Sequence, residues 1–245
     1  MSLTHRECRQ PPTVVGPAIP NPPPGSDNTG TAPNLSGVKL SDGMTTHYWD
    51  CCKPAYGWTS NVNAIGPVRS CLEDGVTTAD PNDKGSVCSD QQPFAINDKL
   101  SYAFGAINYP GVANDDMSCG CFAMEFGDDS VIPGKTIIMQ NINATGANGK
   151  IHVDIAIPGG GFGAYDNCTP QWDLPASIWG QRWGGLESNT CGDLPKILQP
   201  GCNWRYDWFN DGSQQPMKIG RVKCPAQLTA ISKCTRKDEA QFPAL

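Results

Sequence analysis

Short apolar runs that alternate with polar residues, each closed by turn formers, dominate the pattern of this chain. On this ground Met124-Glu125-Phe126, residues 135–140, residues 152–157 and residues 217–222 read as strands. In the run from His152 to Ile157, Val153, Ile155 and Ile157 fall on one face. His152, Asp154 and Ala156 fall on the other, because strand side chains alternate. Helical patterning is sparse and is expected only over 97–106, 176–180 and 193–198. No internal repeat is visible. The pattern points to an all-β chain with long loops.

The 27 glycines and 22 prolines favour the same loop-rich reading. Residues 10–36 carry Pro-Pro, Pro-Pro-Pro, Gly-Ser and Asn-Thr-Gly with almost no large apolar residue. Residues 1–38 therefore read as an arm, either extended over the surface or disordered, and 39–245 as the folded domain. The 12 cysteines are closely spaced only at Cys51-Cys52 and Cys119-Gly120-Cys121, and no CxxC pair or nearby histidine cluster suggests zinc. A disulfide framework is the better reading, which implies an oxidising compartment and secretion. No metal or cofactor is expected. Met1-Ser2-Leu3 is not followed by the apolar core of a signal peptide, so none is expected within these residues. No apolar run is long enough for a membrane helix. The net charge of -6 argues against nucleic acid and anionic lipid as partners. It is compatible with a neutral, hydroxyl-rich substrate and a monomer.

Two aspartates stand in settings that need a reason. Asp50 lies in Thr46-His47-Tyr48-Trp49-Asp50-Cys51-Cys52-Lys53-Pro54, where bridged cysteines would hold its backbone in place. A catalytic carboxylate needs such support, although a surface aspartate beside a structural bridge would look the same. Asp154 interrupts an apolar strand, where aspartate is disfavoured. Apolar surroundings would raise its pKa and suit it to general acid work; a structural hydrogen bond is the alternative. The following Gly159-Gly160-Gly161-Phe162-Gly163 does not continue as GxGxxG, so nucleotide binding is rejected. No GxSxG supports a serine nucleophile. Most of the seven tryptophans belong in a core, while Trp58 and Trp183, in polar glycine-rich contexts, are the candidates for a sugar-stacking platform.

These segments resemble glycoside hydrolase family 45, small endoglucanases of fungi and invertebrates. The resemblance is carried by Thr46 to Pro54, Pro67 to Cys71, Phe94 to Asp98, His152 to Cys168, Gln181 to Gly185, Leu198 to Phe209 and Val222 to Ala226, in the family's order. It implies a six-stranded double-psi β-barrel with a surface groove for β-1,4-glucan and an inverting reaction. Asp50 matches the general base and Asp154 the general acid. Thr46, Tyr48, Trp58, His152 and Trp183 match or neighbour positions that touch sugar. The resemblance further implies the bridges Cys51–Cys168, Cys71–Cys88, Cys119–Cys234, Cys121–Cys224 and Cys191–Cys202. Cys8 and Cys52 are left over, and their pairing is expected.

The chain departs from the family at His47, where arginine is usual, and at Tyr56 and Ser118, which stand where the family often has one more bridge. The loop Thr145 to Lys150 lacks the additional aspartate of many members. Expansins share the barrel and the His-x-Asp strand but lack the first aspartate, and barwin-type binding proteins are a weaker alternative. Asn34, Asn143 and Asn167 head glycosylation sequons, a weak signal.

Overall fold

The computed structural model describes residues 30–146 and 149–245. Six strands form its centre: β1 (Ser41–Tyr48), β2 (Leu100–Asn108), β3 (Cys121–Glu125), β4 (Thr136–Asn143), β5 (His152–Ala156) and β6 (Pro216–Val222). They pair in the order β2-β4-β3-β6-β1-β5, and β5 returns to β2, so the sheet closes into a barrel. The β1–β5 and β2–β4 pairs are parallel, and the other pairs are antiparallel. Closure leaves no free edge among the barrel strands.

The expected alternation decides what fills the barrel. One apolar cluster takes alternate residues from every barrel strand but β1, including Ile107, Phe122, Met124, Ile137, Met139, Val153, Ile155 and Ile219. β1 instead turns Thr45 and His47 to that side, opposite Val153 and Ile155 in the parallel register, and both are buried. A second cluster, with Phe104, Ile138, Ile142 and Ala156, packs the outer face under the loops and includes Trp49 and Trp179. Leu35 and Val38, which composition assigns to the arm, are buried there too. Trp204 and Trp208 stack at 5.4 Å between ring centroids and belong to the first cluster.

Helix was expected over 97–106, but most of that segment is strand β2. Asn97 Oδ1 accepts the Lys99 and Leu100 amides and forms a turn, after which the chain enters the barrel. With neighbours on both sides, β2 is buried almost throughout, and burial on both faces erases the alternation. The helix expected over 193–198 is a 3-10 turn at Cys191–Asp193, and the helix proper, Gln199–Asp207, starts later. Pro200 lies in its first turn, where proline costs no hydrogen bond. Ala176–Trp179 is a 3-10 helix, within the expected 176–180. No helix among the described residues is long and apolar enough to cross a membrane.

Five disulfides tie the loops to the barrel: Cys51–Cys168, Cys71–Cys88, Cys119–Cys234, Cys121–Cys224 and Cys191–Cys202. These are the pairings the family resemblance implies. Cys52 has no disulfide partner among the described residues, and Cys8 lies outside them. Tyr56 and Ser118 are both buried and hydrogen-bonded, Tyr56 Oη to the Asn114 carbonyl and Ser118 Oγ to the Asn63 amide and the Asp115 carbonyl.

Where β2 meets β5 the backbones approach closely at Gly105. A methyl group there would meet the Asp154 carbonyl oxygen and, at 2.6 Å, Met139 Sδ. Gly105→Ala should therefore push β5 outward and destabilise the domain by about 1–3 kcal/mol, as overpacked cores do. Denaturant unfolding at fixed pH measures this; an unchanged midpoint would mean the strands separate without cost.

Candidate active site

The parallel register of β1 and β5 sets Thr46 opposite Asp154 and Met44 opposite His152. With Thr45, His47, Val153 and Ile155 turned inward, Thr46, Tyr48, His152 and Asp154 share the outer face. On the other flank β2 places Ala106 opposite Asp154, so only a methyl group stands beside the carboxyl. This face lines a cleft of about 730 Å³ that also takes in Asp50, Lys53, Asn143, Phe162, Tyr165 and Trp183. The two aspartates singled out in the sequence thus open onto one cavity.

Asp50 follows the end of β1 and is held from several sides. The Trp49 amide donates to the Gly161 carbonyl at 2.7 Å, and the Asn167 amide donates to the Asp50 carbonyl at 3.0 Å. Cys51 adopts a left-handed φ of 59° and is bridged to Cys168. That turn brings the Cys52 amide to Asp50 Oδ1 at 2.9 Å. Burial raises the Asp50 pKa, and the amide opposes the rise by stabilising the ionised form.

Asp154 is in drier surroundings. Burial raises its pKa to about 6; the Thr46 hydroxyl, 2.8 Å from Oδ1, works against this, and the charge of Asp50 adds to it. Thr46 Oγ1 also lies 2.7 Å from Nε2 of His152, whose pKa burial lowers, which favours the neutral imidazole. Burial thus raises both carboxyls, Asp154 to about 6, while the donors differ: a backbone amide at Asp50 and a side-chain hydroxyl at Asp154.

Tyr48 lies on the same face, and its hydroxyl accepts a hydrogen bond from Asn143 Nδ2 at 3.0 Å. Asn143 Oδ1 accepts the Ala55 amide at 2.8 Å, which ties the end of β4 to the loop after Asp50. Sequence reading took Asn143 only as a sequon; its place at the end of an apolar strand, next to the loop preceding His152, was the available signal. The side chain of Cys52 also faces the cleft. Burial and the neighbouring Asp50 push its thiol up to about 12, which leaves it unsuited to nucleophilic attack.

Trp183 is 73% exposed and Tyr165 70% exposed, and both border the cleft. Two interlocked loops carry them. Gly163 N–H donates to the Arg182 carbonyl at 2.9 Å, while the Arg182 guanidinium donates to the carbonyls of Gly163 and Ala164. Gly185 has a φ of 71°, and any side chain there would run into the Gly159–Gly160 backbone. Trp58 does not line the cleft itself. It is half-buried with Lys53 Nζ, from a residue that does line the cleft, 3.7 Å from its ring centroid. Lys53 Nζ also donates to the carbonyls of Pro81 and Asp83, which fixes the ammonium over the indole. Of the residues singled out in the sequence, the cleft gathers Thr46, Tyr48, Asp50, His152, Asp154 and Trp183.

The family model described as Glycosyl hydrolase family 45 matches residues 42–235. An endoglucanase of Cryptopygus antarcticus is 38% identical over 209 residues, spanning 82% of this chain and 92% of that protein. An endoglucanase of Phaedon cochleariae is 34% identical over 203 residues, spanning 78% of this chain and 83% of its own length. Among solved structures, a cellulase from the Antarctic springtail Cryptopygus antarcticus superposes with a TM-score of 0.77 at 39% identity, covering 82% of this chain and 99% of that one.

The electrostatics of Asp154 carry a stability consequence. Its pKa is raised from 3.8 to about 6 on folding, so its favourable contribution is complete below the unfolded value and is lost as pH rises through about 6. Asp154→Asn should remove that dependence and leave the domain more stable than wild type at pH 8, by up to roughly 3 kcal/mol. Chemical denaturation at pH 4 and pH 8 tests this, and equal stability changes at the two pH values would contradict it.

Proposed function

The chain belongs to glycosyl hydrolase family 45, and from that membership we propose that it is a secreted, monomeric endo-β-1,4-glucanase that cleaves internal bonds of cellulose-type glucan with inversion. The observation that carries the reading is the pair of aspartates on one open cleft, both raised by burial, with different hydrogen-bond donors and no third carboxylate lining it among the described residues. Asp154 would give its proton to the departing glycosidic oxygen as the C–O bond breaks. Asp50 would take a proton from the water that attacks the anomeric carbon from the opposite face. Such a water needs room, so the carboxyl groups of an inverting pair stand roughly 6.5–9.5 Å apart.

The surroundings support a neutral sugar chain as substrate. Exposed Trp183 and Tyr165 offer flat apolar faces at the cleft edge, while Tyr48, His152 and Thr46 offer hydroxyl and imidazole partners near the acid. The cleft is of about 730 Å³ and bordered by exposed side chains, which suits attack within a chain. Secretion is supported by the five disulfides, which persist in oxidising compartments.

Proton NMR of cello-oligosaccharide cleavage tests activity and stereochemistry together. The first new reducing ends should be α-anomers; initial β-anomers would overturn inversion, and no new ends would overturn hydrolysis. Asp154→Asn should lower kcat by about 10²–10⁴-fold while glucan binding persists. Wild-type activity should fall as pH rises through about 6, where Asp154 gives up its proton.

A further inference from the structure

We infer that Thr46 is a positioning residue that selects which oxygen of Asp154 carries the transferable proton, with His152 setting the direction of the Thr46 hydroxyl. This rests on Asp154 being the general acid. The Thr46 Oγ1 atom lies 2.8 Å from Asp154 Oδ1 and 2.7 Å from His152 Nε2. A hydroxyl has a single proton to donate, so it cannot donate to both.

Two arrangements satisfy both contacts with the Thr46 proton spent on one of them; a third, with Nε2–H and a protonated Oδ1 both donating to Oγ1, ties up the acid proton as the second does. In the first, His152 Nε2–H donates to Thr46 Oγ1, and the Thr46 hydroxyl donates to Asp154 Oδ1. Oδ1 is then an acceptor, and the acid proton resides on Oδ2, the oxygen left for substrate. In the second, Nε2 is bare and accepts from Thr46. Oδ1 must then carry the acid proton and spend it on Thr46, turned toward β1 and away from a sugar. Only the first arrangement leaves the proton available. It also spares the carboxylate an unpartnered oxygen after transfer, since Thr46 continues to donate to Oδ1 while solvent returns a proton to Oδ2.

The other groups around Asp154 do not duplicate this role. Tyr48 on β1 has its hydroxyl engaged by Asn143. Asp50 follows β1 and acts on Asp154 through its charge. β2 contributes Ala106, which has nothing to titrate. Cys52 and Lys53 line the same cleft, the latter held by the carbonyls of Pro81 and Asp83.

The test is kcat/KM against pH on a soluble β-glucan for Thr46→Val, Thr46→Ser, His152→Gln and His152→Phe. Valine keeps the shape and the strand preference of threonine but not the hydroxyl. Its loss removes a donor to the carboxylate, so the alkaline limb should move up by about one pH unit. The maximal kcat should fall about tenfold or more with KM near wild type. Serine should restore both the limb and the rate. Glutamine at 152, which can still donate to Thr46, should retain more kcat than phenylalanine. An unmoved alkaline limb in Thr46→Val with a normal unfolding midpoint overturns the inference; if that variant folds poorly, Thr46→Ala is read in the same way. Activity retained in Asp154→Asn would instead overturn the acid assignment itself, so the two failures are separable.

Discussion

The parallel pairing of β1 with β5 is the constraint on which the site depends. It fixes Thr46 beside Asp154, sends Tyr48 to the same face, and delivers the chain to Asp50 just beyond the strand end. A slip of one residue in this register would turn Asp154 into the apolar interior with Val153 and Ile155 turned out. The barrel prevents such a slip because β5 is also paired to β2 and β1 to β6, so each strand is specified from both sides. The closed sheet thereby holds a carboxyl at a partly dry position that an isolated hairpin could not maintain.

Dryness serves chemistry at the expense of stability. Burial is the largest influence on both aspartates, yet their immediate partners differ. A backbone amide fixed by a bridged turn faces Asp50; a side-chain hydroxyl with two possible orientations faces Asp154. The same type of residue is thus given two characters by what donates to it. Support by backbone at Asp50 and by a side chain at Asp154 also makes Asp154 the more adjustable of the two.

Much of this was legible in the residues. The His152–Ile157 alternation already separated Asp154 from its apolar neighbours, and Cys51, bridged to Cys168, bears out one half of the cysteine support expected beside Asp50. β2 was misread because both of its faces are covered, so its sequence carries no polar alternation to distinguish strand from helix. The start of the helix at Gln199 was obscured because the proline that marks it also reads as a breaker. Asn143 was not recognised as part of the site because its role arises from a contact with Tyr48, 95 positions away, which no local pattern encodes. The seat of Lys53 on Trp58 has the same origin: an ammonium over an indole is a tertiary event.

The loops bearing Trp183 and Tyr165 are fastened chiefly through main-chain carbonyls, glycine contacts and the Arg182 guanidinium, with the indole lying beside Gly163 and Arg182 and otherwise exposed. Position 183 is accordingly a socket rather than a strut. Because most of the frame is main chain, a different side chain at 183 would change the exposed face at the cleft edge more than the course of the two loops.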